Sequence, residues 1–385
     1  MTDIIYGKKD AEEREPLFSE WWRTVDRLSL FAVLILFIIG LLLCMASSPP
    51  LAENNGIAPF YYVKKQLFFI IVSFFLIIFF SIISVKSSRR IAVLCFVLSF
   101  TLILFLPFFG TDFGKGAVRW FSIFSFSIQP SEFLKPFFII FSAWLISGSL
   151  EKTGPPGKLI SFTLMTIIVA LLISQPDFGQ ATLIVTSWSI IYFISGASIF
   201  VLIIILFMCI NLAIIAYFNS EHVANRLNGF ISPDLDPLTQ LGYATNAIKN
   251  GGFLGVGVGD GKVKWKLPDA HTDFIIAVAA EEYGLLLCLI ILFIFLFIII
   301  RSLLRLIEEP SNFVKFAGTG LVSLLGLQTL INVGVAVRLL PAKGLTLPFI
   351  SYGGSSVLAM GILMGFLLSY TRKRPKHEMQ QIFRK

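Results

Sequence analysis

The sequence predicts an all-α, polytopic membrane protein of about ten transmembrane helices. Three observations carry that prediction. Hydrophobic residues make up 56% of the chain and charged residues only 14%. Apolar runs of near-spanning length recur from residue 28 to residue 370. Lys and Arg gather in the short segments that one side of such a bundle would share. A soluble domain carries about 25% charged residues, so a 385-residue globule of this composition could not cover its own surface. The mean hydropathy of +0.85 and the 40 phenylalanines suit a bilayer. The net charge of +8 sits in short loops between apolar runs, which argues against nucleic-acid binding. Cys44, Cys95, Cys209 and Cys288 all fall inside apolar runs with no CxxC pair, which argues against a disulfide framework or a zinc site.

The spans are placed at 28–46, 66–84, 91–108, 131–147, 159–174, 178–195, 199–217, 273–300, 313–336 and 352–370. The first is longer than a signal-peptide core of about 7–15 residues and follows a charged tail, so it is read as a helix that stays. With residues 1–27 inside, alternation puts the larger share of Lys and Arg on the cytoplasmic side, so both termini, including the tail 371–385, are expected there. Two outer segments are long: 107–130, and 219–272, which carries Phe230, Tyr243, Phe253 and Trp265. Such aromatic content argues against full disorder, and short helices on the membrane surface are expected in the second. Function is expected on this outer face.

Charge at bilayer depth costs at least ~2.5–3.5 kcal/mol, so the exceptions inform. The fourth span opens Gln129-Pro130-Ser131-Glu132-Phe133-Leu134-Lys135-Pro136. Pro130 suits a first helical position, and Glu132 and Lys135, three apart, share a face and can pair. They would line an outward cavity, pin the helix to a neighbour, or both. The eighth span opens Leu267-Pro268-Asp269-Ala270-His271-Thr272-Asp273 and continues to Glu281-Glu282. Asp273 or Thr272 would sit at a helix N-terminus, where an acid is stabilised by the dipole or acts as a plain cap. Glu282 points nearly opposite Asp273 and is expected to pair with another helix; Glu281 suits either face. His271 would meet a polar substrate group or stand solvated. Gly255-Val-Gly257-Val-Gly259-Asp260-Gly261-Lys262 lacks a βαβ context and a following Ser or Thr, so it is read as a flexible turn region rather than a nucleotide loop.

Three strings resemble the SEDS family, the shape, elongation, division and sporulation proteins. They are Lys115-Gly-Ala-Val-Arg119-Trp120 with the Gln129–Lys135 string; Leu267–Phe274 with Ala280-Glu281-Glu282-Tyr283-Gly284; and Asn332, Arg338, Pro341, Gly344 and Ser351-Tyr352-Gly353-Gly354-Ser355-Ser356. Trp21–Arg27 and Asp269–Asp273 favour the cell-division branch over the elongation branch. Tyr283, where the family commonly has Leu or Phe, is a mild departure.

The resemblance implies a GT-C-like fold and a peptidoglycan glycosyltransferase polymerising lipid II, a disaccharide-pentapeptide on undecaprenyl pyrophosphate. It also implies a class B penicillin-binding protein transpeptidase and other divisome membrane proteins as partners, and a place in the bacterial cell membrane at the septum. Asp273 matches the position the family uses catalytically, as general base or as a carboxylate holding Mg²⁺ or Mn²⁺. Arg119, Arg338 and Lys343 are outer cations suited to pyrophosphate. Gln175-Pro176-Asp177 resembles a family motif, and Asp177 would equally cap a helix. Ser351 and the small residues after it favour close packing. The alternatives left open are a lipid II flippase, an elongation polymerase, and a division scaffold.

Overall fold

The computed structural model describes residues 17–54, 56–111, 118–123, 126–151, 153–219, 224, 227–230, 239–341 and 344–373. A short amphipathic helix, α1 (Leu17–Thr24), opens the described chain. It is followed by α2 (Arg27–Asn54), α3 (Tyr61–Ile82), α4 (Val85–Phe109), a strand pair β1 (Phe121–Ile123) and β2 (Phe126–Ile128), α5 (Pro130–Gly148), α6 (Gly157–Ser174), α7 (Phe178–Ile194) and α8 (Ile199–Asn219). Then come α9 (Gln240–Gly251), a 3-10 turn (Val263–Trp265), α10 (Ile275–Ile307), α11 (Asn312–Ala336) and α12 (Gly354–Tyr370). Helices stand at all ten expected segments. By length and composition six described helices can cross a membrane: α2, α3, α4, α6, α10 and α11; α7, α12 and Ile199–Met208 of α8 are apolar but shorter. The chain is a multi-pass membrane protein.

Packing sorts the helices. α12 is buried along almost its whole length, and α5 and α11 bury most of theirs. These three form the centre. α12 lies close against α3: a Cβ added at Gly361 would meet Ser73 Oγ at 2.2 Å. Small residues allow such approach between membrane helices. α4 and α8 instead expose Phe108, Phe109, Phe200, Phe207 and Phe218, as lipid-facing surfaces do.

Several expectations need correction. Residues 17–24 are more than a tail: Trp21 is buried and donates through Nε1 to Ser81 Oγ at 2.8 Å. The segment after α4 pairs Phe121 with Ile128 in a short antiparallel strand pair, a local addition to a bundle that is otherwise helical, as expected. The second outer segment does contain short helices, α9 and the 3-10 turn. The glycine string is not a loose turn. Val256 and Gly257 donate their N–H groups to the carbonyls of Glu281 and Glu282 (2.9 and 3.2 Å), and Leu285 and Leu286 donate to those of Gly252 and Phe253 (3.0 and 3.3 Å). These bonds fasten the string across a break in α10 at Gly284 (φ 77°, ψ −175°), a conformation reserved for glycine. Residues 352 and 353 precede α12 rather than opening it. Leu345, Leu347, Phe349, Ile350 and Ser351 are all buried before that helix begins, in irregular backbone of the kind tolerated at membrane depth only inside protein. Gly40 of α2 admits it: a Cβ there would lie 2.7 Å from Ile350 Cα.

Candidate active site

The segment before α10 is a run of turns. Asp269 has φ 56°, and its carbonyl accepts from the N–H groups of Thr272, Asp273 and Phe274 at 3.1, 3.1 and 3.3 Å. Helix α10 starts at Ile275 with Phe274 as N-cap and no side-chain cap. Thr272 does not cap it: Thr272 Oγ1 turns back to the Asp269 carbonyl at 3.1 Å. Asp273 stands half-buried at the rim.

Opposite it runs the irregular segment 344–353. Gly344 (φ +62°) is so close that a Cβ on it would be 3.4 Å from Asp273 Oδ2. Asn332 of α11 donates through Nδ2 to the carbonyls of Asp273 (2.9 Å) and Leu345 (2.6 Å), tying the two segments together. Ser351 does more than pack: its Oγ donates to the Thr272 carbonyl and accepts from Leu347 N–H at 2.9 Å. Tyr352 N–H donates to the His271 carbonyl at 2.9 Å. The buried His271 ring lies between Tyr62 and Tyr352, with centroids 5.7 and 5.3 Å away. His271 is thus a member of an aromatic wall, not a solvated loop residue.

Beneath this rim lies a buried polar network. Lys135 Nζ donates to Glu132 Oε2 (2.9 Å) and to Gln328 Oε1 (3.1 Å). Gln180 of α7 donates to the other Glu132 oxygen. Gln328 Nε2 donates to the Thr346 carbonyl at 3.0 Å, so the network reaches the segment facing Asp273. The Glu132–Lys135 pair forms as its three-residue spacing predicts, with Lys135 fully buried. A charge so deep persists only when paired.

A second branch holds the α6–α7 turn. Arg119 donates from Nε and Nη2 to the carbonyls of Gln175 (2.9 Å) and Pro176 (2.6 Å). Gln175 Nε2 donates to the Ile103 carbonyl at 3.3 Å. Asp177 is the N-cap of α7, accepting from Gln180 N–H, and also accepts from Gln129 Nε2 at 3.2 Å. Burial pushes the Asp177 carboxyl up, against the pull of Arg119. Arg119 therefore spends two of its donors on backbone. Arg338 (φ 59°) donates to the Phe230 carbonyl at 3.3 Å. Lys343 and Lys115 lie outside the described residues.

The two glutamates of α10 serve the outer segment. Glu281 accepts from the N–H groups of Lys262 and Val263 at 3.0 Å. Glu282 pairs with the buried Lys264 of the 3-10 turn rather than with a spanning helix. Gln180 and Gln328 were not among the sequence candidates, and Asn332 stood only in a family string without a role. The signal that finds them is the one used for charges, a polar side chain inside an apolar run, applied to amides as well.

The donor set also bears on a cation. Among the described residues no three His, Cys, Asp or Glu side chains gather as a metal site. Asp273 is a single carboxylate, which fits Mg²⁺ only in the manner that shares the ion with substrate phosphates.

A family model described as "Cell cycle protein", FTSW_RODA_SPOVE, matches residues 26–376. A probable peptidoglycan glycosyltransferase FtsW of Caulobacter vibrioides is 40% identical over 356 residues, 92% of this chain and 91% of the relative. Stage V sporulation protein E of Bacillus subtilis is 31% identical over 295 residues, 74% of this chain and 79% of that one. Among solved structures, a chain from a study of polymerization and crosslinking by a peptidoglycan synthase complex superposes with a TM-score of 0.73 at 23% identity, covering 90% of this chain and 97% of that one. The rod shape determining protein RodA of Thermus thermophilus superposes at 0.63 and 21% identity, covering 91% and 97%.

Proposed function

The chain belongs to the FtsW/RodA/SpoVE family of cell cycle proteins, and from that premise we propose that this peptidoglycan glycosyltransferase works through Asp273 at the outer rim of its membrane bundle. The observation that carries the reading is the setting of Asp273: partly exposed, in the turns just before α10, and facing Gly344 across a cleft pinned by Asn332.

The substrate is lipid II. Its tails stay in the bilayer, so its sugars and pyrophosphate meet the protein at the rim. The 4-hydroxyl of one chain attacks the anomeric carbon of the next, pyrophosphate leaves, and the α-linked donor yields a β-linked product. Asp273 takes the proton of the attacking hydroxyl; such a base contributes about 10²–10⁴-fold. Arg338 and Lys343 supply positive charge for the leaving group. Arg119 acts at one remove, by holding the Gln175–Pro176 turn. His271 and Thr272 present the aromatic and backbone wall beside the carboxylate. Mg²⁺ or Mn²⁺, where bound, would be held by Asp273 together with the pyrophosphate and would neutralise the leaving group's charge.

Both termini lie in the cytoplasm, and the chain acts at the division septum beside other divisome membrane proteins. A class B penicillin-binding protein crosslinks the product. Support for that partner is the fold shared with a chain of a peptidoglycan synthase complex.

The test is polymerisation of purified lipid II by the chain with its transpeptidase. Wild type should build glycan strands, and folded Asp273→Ala should lose at least about 10²-fold in rate. Equal polymer from both would remove Asp273 from the chemistry. Lipid II movement across vesicles without polymer from either would replace the enzyme by a flippase.

A further inference from the structure

Asn332 and Gln328 lie four residues apart on α11, so they project from one face, about 6 Å apart along the axis. Their partners are consecutive residues of the facing segment: Asn332 donates to the Leu345 carbonyl and Gln328 to that of Thr346. Each amide has a second anchor. For Asn332 it is the Asp273 carbonyl at 2.9 Å. For Gln328 it is Lys135 Nζ, which donates to Oε1 at 3.1 Å and is itself bound to Glu132.

The orientation of Asn332 follows from chemistry. Both carbonyls accept, so only the NH₂ group can face them, and turning the amide over would set its oxygen against two oxygens. That fixes Oδ1 on the other side, where it is buried with no hydrogen-bond partner. A residue serving only to fill this space would not strand a buried carbonyl; what the position uses is the pair of N–H donors.

We infer that Asn332 and Gln328 are positioning residues: a two-rung amide clasp on α11 that fixes the Asp273 backbone against the Gly344–Thr346 segment. The inference rests on the reading of Asp273 as the catalytic carboxylate. Gln328 is the rung through which the buried Glu132–Lys135 pair reaches the rim, and Asn332 is the rung that touches the Asp273 main chain. A base misplaced by about an ångström loses rate by roughly 10²-fold, while the lipid anchor and its binding surfaces remain.

The experiment measures polymerisation by the full chain with its transpeptidase over a range of lipid II concentration, for Asn332→Ala, Asn332→Asp and Asp273→Ala. Asn332→Ala should lower kcat about 10–100-fold with KM within about threefold. Asn332→Asp keeps the volume but, buried against two carbonyl oxygens, takes up a proton and offers one donor in place of two. It should lower kcat about 10-fold, again with KM within about threefold. A structural staple alone would lower thermal stability and leave kcat per folded molecule unchanged. Wild-type kcat per folded molecule in Asn332→Ala overturns the inference. Should Asn332→Ala fail to fold, the isosteric aspartate variant decides: wild-type kcat there overturns the inference equally. Wild-type polymerisation by Asp273→Ala would instead overturn the reading of Asp273 itself.

Discussion

Asp26 and Asp273 are served by the same helix and treated in opposite ways. α10 begins two residues after Asp273 and reaches Arg301 and Arg305 near its far end, about 40 Å away at 1.5 Å per residue. There Asp26 is 1% exposed and saturated. Arg301 Nε donates to both of its oxygens at 2.8–2.9 Å, Arg305 lies 3.2 Å away, and Ser29 Oγ donates at 2.9 Å. Arg305 also donates to the Thr371 carbonyl, and Arg372 to Thr24, so the knot ties both described ends of the chain to α10. Asp273 is instead held through its backbone, in turns where Asp269, Arg338 and Phe349 take positive φ. Non-glycine residues in that region cost of order 1 kcal/mol or more each. The contrast separates a fully buried carboxylate spent on stability from a half-buried one set in a costly backbone frame.

Glu132 tests where the line falls, because it is buried like Asp26 yet lies below Asp273. Lys135→Met should produce the largest loss of stability, about 3–5 kcal/mol, since it leaves Glu132 charged and unpaired. Thermal unfolding in detergent reads this. Adding Glu132→Gln should restore most of the stability but not the polymerisation rate, because Gln328 has still lost Lys135. Recovery of both would class the pair with Asp26.

Asp26→Ala comes next, at about 3 kcal/mol. It sits at the lower end because both arginines keep some solvent. Polymerisation per folded molecule should stay within about twofold of wild type. A large loss of rate with intact stability would erase the distinction between the two ends.

The smallest effect is expected at Asp177. Burial raises its carboxyl above the usual value of 3.8, so from that pH upward the native state binds more protons than the unfolded one, and stability falls as pH rises. Asn caps a helix about as well as Asp. Asp177→Asn should therefore be level with wild type near pH 4 and the more stable of the two at pH 7. A variant less stable at pH 7 would show that Arg119 and Gln129 need the charge.

The helical segments were legible because lipid leaves a chain little alternative to helices, and each announces itself as an apolar run. Their ends were less so. α10 extends past residue 300 because Arg301 and Arg305 find Asp26, a partner that no local window contains. The strand pair and α1 were missed because three-residue strands and an eight-residue helix carry little periodic signal. Within the site, Asp273, Glu132 and Lys135 were visible as polar groups at apolar boundaries, and Ser351 as a member of a family string. Arg119 was visible too, but its backbone partners in the α6–α7 turn lie 56 and 57 residues away. Gln328 escaped because a search for formal charge passes over amides, and Asn332 stood in a family string with no role attached to it.

The brevity of α12 has a consequence for the lipid. Its 17 residues reach about 25 Å, short of the ~30 Å hydrocarbon layer. An exposed helix of that length would thin the bilayer or tilt its neighbours. α12 faces protein on nearly every side, so hydrophobic matching does not apply to it. The irregular residues 344–353 complete the depth instead, with most of their apolar side chains enclosed. The backbone facing Asp273 is therefore irregular chain enclosed in protein rather than a helix end set in lipid.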